Sequence, residues 1–155
     1  MKNIVTIFLL ACIGTSVLAQ NTTNFAHIGR IDRFEPEVNE LIPKDAKIEV
    51  LCGGFEWSEG PVWMPESGNK YGGFVLFSDI PNNVVMKWQE GVGASVYMKP
   101  AGYTGVADYG LEPGSNGLAL DAKGRLVMCE HGDRRISVVT NGGGKIPLAD
   151  HWQGK

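Results

Sequence analysis

Ser58-Glu59-Gly60-Pro61-Val62-Trp63-Met64 sets a carboxylate at the mouth of a short apolar strand, and Ser115-Asn116-Gly117-Leu118-Ala119-Leu120 repeats the arrangement with an amide in place of the acid. Each stretch opens a run of short strands. Gly60–Met64 leads through turns to Phe74–Ser78, Val84–Trp88 and Ser95–Met98, and Gly117–Asp121 leads to Leu126–Glu130, Ile136–Thr140 and Lys145–Leu148. Apolar runs of this length, punctuated by Gly, Pro, Asn and Asp, are the signature of an all-β sandwich, barrel or propeller, and no helical period of useful length appears after Asp45. The two groups repeat at about 52 to 57 residues, near the period of propeller blades. A four-stranded antiparallel meander cannot bury both faces alone, so the repeat argues for blades stacked on one another.

Upstream the texture changes. Lys2, an apolar run from Ile4 to Ile13 and the small or aliphatic residues Ser16-Val17-Leu18-Ala19 read as a secretory signal spanning residues 1–19. The run falls short of the ~20 apolar residues a bilayer-spanning helix needs. The chain is therefore expected to be exported, to the periplasm or beyond the cell, with no stable membrane span; Leu9-Leu10-Ala11-Cys12 offers a lipoprotein as the lesser alternative. Residues 20–46 form a polar lead-in, in which Glu37 to Leu41 can make one helical turn before Pro43 stops it. Residues 47–155 carry the repeat. A propeller needs at least about four blades, so these residues read as the N-terminal part of a longer ring, with the strand Lys47–Leu51 completing its last blade.

Composition narrows the chemistry. Of 155 residues, 14 are basic and 17 acidic, giving a net charge of -3, and no basic stripe offers itself to phosphates. Nucleic acid is excluded as a partner. Cys52 and Cys129 each sit in or beside an apolar strand pattern and read as small buried hydrophobes more readily than as a disulfide, and no Cys/His cluster suggests zinc. Gly142-Gly143-Gly144-Lys145 lacks the flanking residues of a phosphate-binding loop and reads as a hairpin turn.

In a propeller the innermost strand of each blade faces the axis, so a residue at its start projects into the central channel. Glu59 and Asn116 occupy that place. Pro61 cannot donate to a strand ladder and Gly60 has no side chain, so the backbone turns sharply and leaves the carboxylate exposed. A solvated turn carboxylate is the plainer reading of Glu59 by itself, as Ser/Asn-before-Gly turn chemistry is for Asn116. Trp63 alternates to the opposite side, a wedge between blades. His131 follows the second strand of the second group and could shuttle protons or donate to a substrate, or could simply pack over a β-turn bonded to backbone. Glu130 and Asp79 sit at matching ends of second strands and read as acids that fix the following turn. Asp133, Arg134 and Arg135 form a charged hairpin turn, and Tyr103 or Tyr109 could line a pocket entrance from the long connection between the groups.

Taken together, Ser58 to Trp63, Phe77-Ser78-Asp79-Ile80-Pro81, Ser115 to Asp121, Gly124-Arg125-Leu126 and Cys129 to Arg135 resemble the gluconolactonase family that includes senescence marker protein (regucalcin). Five motifs agree in order and spacing from Lys47 to Lys155. The resemblance implies a six-bladed β-propeller, of which this chain carries about the first two blades and a closing strand, and hydrolysis of a sugar lactone. It implies one divalent metal ion in the channel, Ca²⁺ before Zn²⁺, Mg²⁺ or Mn²⁺, polarising the lactone carbonyl and activating water. Glu59 is then the first metal ligand, and Asn116 and His131 are the substrate-binding candidates. The further ligands and the general base of the family lie beyond Lys155, so this chain alone is expected to be inactive. A non-catalytic metal-binding propeller, or a related esterase acting on aryl esters or phosphotriesters behind a more apolar rim, are the competing readings.

Overall fold

The computed structural model describes residues 25–154, so the signal segment and the Cys12 reading lie outside the described residues. Two four-stranded antiparallel sheets make up the body. The first is the meander β3 (Ser58–Pro65), β4 (Gly73–Asp79), β5 (Val84–Gln89) and β6 (Gly93–Met98); the second is β7 (Ser115–Leu120), β8 (Leu126–Glu130), β9 (Arg135–Val139) and β10 (Lys145–Ala149). The all-β reading and the two-blade repeat are thus what the chain adopts. Before the blades, α1 (Val38–Leu41) is the single helical turn expected in the lead-in. The lead-in also holds a strand that its polarity concealed: β1 (Ala26–His27) pairs antiparallel with β2 (Glu49–Val50), a two-residue remnant of the strand expected over Lys47–Leu51. Among the described residues no helix is long and apolar enough to cross a membrane.

Alternation decides which face of each sheet is buried. Phe74, Leu76 and Val85 of the first blade meet Leu126, Met128 and Val139 of the second, with Val62, Met64, Met98 and Leu118 packed around them. Leu76, Val85 and Met128 have no solvent exposure; truncating such a side chain to Ala costs about 2–5 kcal/mol. Trp63 is the correction here. It lies on the other face of β3 and remains 47% exposed, because Val62 and Met64 are the β3 residues that reach the inter-blade core. Cys129 is likewise exposed rather than buried, and it and Cys52 are free thiols.

Both inner strands begin two residues earlier than their apolar patterns suggested, at Ser58 and Ser115, so Glu59 and Asn116 sit inside the strands. Each strand is irregular at once: the register shifts between Glu59 and Val62 in β3 and between Ser115 and Leu118 in β7. A bulge twists a strand and re-aims its side chains. The same irregularity at the same place in both blades turns both polar residues toward one region.

Candidate functional site

The approach of β3 to β7 builds the site. Gly60 has φ +60°, and a Cβ there would stand 2.6 Å from the Asn116 carbonyl oxygen. Only glycine lets the backbones come this close. Beneath them, Ser78 and Ser115 are both fully buried, with their hydroxyl oxygens 2.9 Å apart, and Ser78 Oγ lies 2.8 Å from the Asn116 carbonyl. A hydroxyl has one proton, and the carbonyl can only accept. Ser78 therefore donates to Asn116, and Ser115 donates to Ser78. This relay bolts the second blade's polar residue to the first blade's middle strand.

Asn116 Nδ2 then donates to Glu59 Oε1 at 2.6 Å, across 57 residues of sequence. Both side chains are only partly buried. Because the amide spends its donor end on Glu59, its Oδ1 is the end left to accept or coordinate. Asp79 steadies the approach to β3: its carboxylate accepts the amides of Glu56 and Trp57 at 3.2 and 3.1 Å and the side-chain amide of Asn82 at 2.8 Å.

Around this pair lie two grooves. One, of about 340 Å³, passes Glu59 between Ile28, Val50, Leu51, Phe55 and Phe77, and is mostly apolar. The other, of about 540 Å³, runs along Asn116, Cys129, His131, Arg134, Ile136 and Trp152. His131 is thus brought to the groove that Asn116 borders. Its Nδ1 lies 2.8 Å from the Glu112 carbonyl oxygen, the backbone-bonded packing weighed as an alternative from sequence, yet the side chain keeps 30% of its surface exposed. A further groove of about 500 Å³ beside Met64, Lys99 and Arg125 contains none of these residues.

The neighbouring charges are committed elsewhere. Glu130, whose side chain is fully buried, takes Lys145 at 2.7 Å and Arg135 at 3.1 Å and a short hydrogen bond from Ser137. Arg135 also reaches Asp133 at 3.1 Å, so it is a structural cation rather than a solvated turn charge free for an anionic substrate. Asp133 in turn accepts the amide and hydroxyl of Thr104 at 2.9 and 2.7 Å. Burial by itself would raise the Asp133 carboxyl, but the two Thr104 bonds and Arg135 outweigh it and hold it below the usual carboxylate range. Sequence reasoning missed Ser78, Ser115 and Asn83; the matching Ser58 and Ser115 before each strand were visible, but burial was not.

The donor set can be tested against a cation. Glu59 and Asn116 present carboxylate and amide oxygens, the ligand types a hard divalent ion prefers. They fit in kind and supply part of a shell of six or more. Among the described residues no group of three His, Cys, Asp or Glu side chains gathers to hold a metal.

No protein-family model matches the chain. A gluconolactonase of Zymomonas mobilis is 37% identical over 128 residues, which is 81% of this chain and 35% of that protein. A solved structure provisionally named a gluconolactonase superposes with a TM-score of 0.61 at 32% identity, over 79% of this chain and 37% of that one. A gluconolactonase from Xanthomonas campestris gives a TM-score of 0.60 at 25% identity, over 86% of this chain and 38% of the other. The chain spans little more than a third of the length of the relatives it matches.

Proposed function

We propose that this chain, gluconolactonase-like in sequence and fold over the third of those proteins that it spans, takes part in metal-assisted hydrolysis of a small lactone. The observation that carries the proposal is the clamped pair: Glu59 and Asn116 held 2.6 Å apart at the bulged starts of adjacent inner strands. Glu59 would hold a divalent ion, Ca²⁺ by preference for oxygen ligands, with Asn116 Oδ1 as a second oxygen or as the group that orients the lactone. A bound cation supplies Lewis-acid stabilisation of the developing oxyanion and a more acidic water. The chain's own contribution is orientation. The Ser115–Ser78 relay fixes the backbone carbonyl of Asn116, its side-chain amide holds the Glu59 carboxylate, and such preset groups need little reorganisation when charge develops. His131 borders the same groove as Asn116, which supports its reading as a substrate contact.

The mostly apolar groove beside Glu59 favours a second reading, an ester or lactone carrying an aryl or alkyl substituent, because Ile28, Val50, Leu51, Phe55 and Phe77 outnumber the hydrogen-bonding side chains Glu49, Ser58 and Glu59 along it. A panel of an aldonolactone and an aryl ester separates the two. Chelation followed by Ca²⁺ addition, on a full-length protein carrying these residues and on its Glu59→Gln variant, tests the metal: hydrolysis should vanish with chelator, return with Ca²⁺, and stay low in the variant. Hydrolysis indifferent to both chelator and substitution overturns the proposal.

A further inference from the structure

The long connection between the blades is held by one side chain that neither the lactone reading nor the motifs assign. Asn83 sits in the left-handed region at φ 54°, a conformation Asn tolerates well. Its Oδ1 accepts the amides of Ala101, Gly102 and Tyr103 at 3.0, 2.7 and 3.3 Å, and its Nδ2 donates to the Tyr103 carbonyl at 2.8 Å. Four bonds from one amide fix the start of the connection. From there the contacts run to His131. The Tyr103 ring packs on Tyr109 with centroids 4.9 Å apart; the Tyr109 ring meets His131 edge-on at 5.9 Å; and Tyr109 OH donates to the His131 carbonyl at 3.2 Å.

Glu112, near the end of the same connection, closes the bracket. Its carbonyl oxygen lies 2.8 Å from His131 Nδ1 and its carboxylate Oε2 lies 3.5 Å from the same nitrogen. Both are acceptors, so Nδ1 must carry the proton. In the neutral imidazole Nε2 is then the basic nitrogen, and among the described residues it makes no hydrogen bond. We propose that Asn83 is a positioning residue which, through this connection, sets His131 as a proton acceptor at Nε2 toward the groove it shares with Asn116. The inference rests on the proposed hydrolysis for its chemistry, but not for its geometry. It narrows the sequence alternatives: neutral His131 is an acceptor at Nε2, not a donor there.

Long-range ¹H–¹⁵N spectra of the imidazoles read the tautomer directly, and His27 and His151 serve as internal controls. His131 should show a protonated Nδ1 and a pyridine-type Nε2. Asn83→Ala should turn this into a tautomer mixture at unchanged far-UV circular dichroism, while Asn83→Asp, which keeps the acceptor for the three amides, should restore the single form. A protonated Nε2 in the wild type, or a folded Asn83→Ala with unaltered His131 signals, overturns the inference. In a full-length protein carrying these residues, on a lactone substrate, His131→Gln should lower kcat on the order of 100-fold with little change in KM; an unchanged kcat removes the acceptor role and leaves the hydrolysis standing. A full-length protein carrying these residues that shows the fixed tautomer but no hydrolysis sinks the proposed function and leaves the positioning by Asn83 in place.

Discussion

Glu59 and Asn116 stand 57 residues apart in the chain and 2.6 Å apart in the fold, the amide of one blade donating to the carboxylate of the other. Each is the second residue of an inner strand, and each lies at a register shift. The repeat that created the two blades therefore also created a pair of unlike polar groups facing one another, one able to carry charge and one able to hold it still.

A double-mutant cycle measures that pair. Glu59→Ala and Asn116→Ala should each destabilise the fold modestly, with a coupling near the low end of hydrogen bonds to charged groups, about 1.5 kcal/mol, since both side chains are partly open to water. Urea midpoints of the four proteins give the coupling. A value indistinguishable from zero would mean the contact positions nothing.

Substituting Gly60 tests the close approach beneath it. Gly60→Ala puts a Cβ 2.6 Å from the Asn116 carbonyl at φ +60°, so backbone strain alone should cost about 1–3 kcal/mol. On the proposed reading of Glu59 as a Ca²⁺ ligand, calcium affinity of a full-length protein carrying these residues, read by calorimetry, should fall with it, because the displaced carbonyl belongs to the residue that clamps Glu59. A fully stable Gly60→Ala would contradict the packing of β3 against β7.

Glu130 anchors the second blade. Removing it leaves Lys145 and Arg135, 10% and 21% exposed at their side chains, without their shared anion. Breaking a buried pair from one side costs about 3–5 kcal/mol. Glu130→Ala should therefore lower the urea midpoint far more than an exposed control such as Glu90→Ala.

Acid should loosen the connection that carries the tyrosines. The folded Asp133 carboxyl titrates below its ordinary value, so it stabilises the fold at pH above the unfolded value, about 3.9, and loses that contribution as pH falls from about 5 through the folded value. Wild type should lose stability across that range, and Asp133→Asn, already lacking the charge, should show a shallower loss. Urea midpoints at neutral pH and near pH 3 provide the comparison, and parallel curves would remove Asp133 from the account.

Much of this architecture was legible in the chain. Alternation and turn residues located all eight blade strands to within a few residues, because a sheet face in contact with another blade forces period-two burial. The Glu59/Asn116 correspondence was legible for the same reason. The strand β1 was not, since a two-residue pairing in a polar segment leaves no periodic mark. Trp63 and Cys129 were misjudged because alternation says only that two faces differ; which face meets the neighbouring blade depends on how the sheets stack.

By itself, then, the sequence determined the strands, the blade repeat, the likeness to gluconolactonases and the positions of the polar residues along each strand, all of them local or periodic properties. Only the tertiary structure decided that Asn116 grips Glu59, that Ser78 and Ser115 meet beneath them, that Arg135 belongs to Glu130, and that Asn83 reaches Tyr103. Each of those contacts joins residues far apart along the chain or on different strands or turns. The first two follow from inter-blade packing and from two bulges whose re-aiming of side chains no linear pattern records.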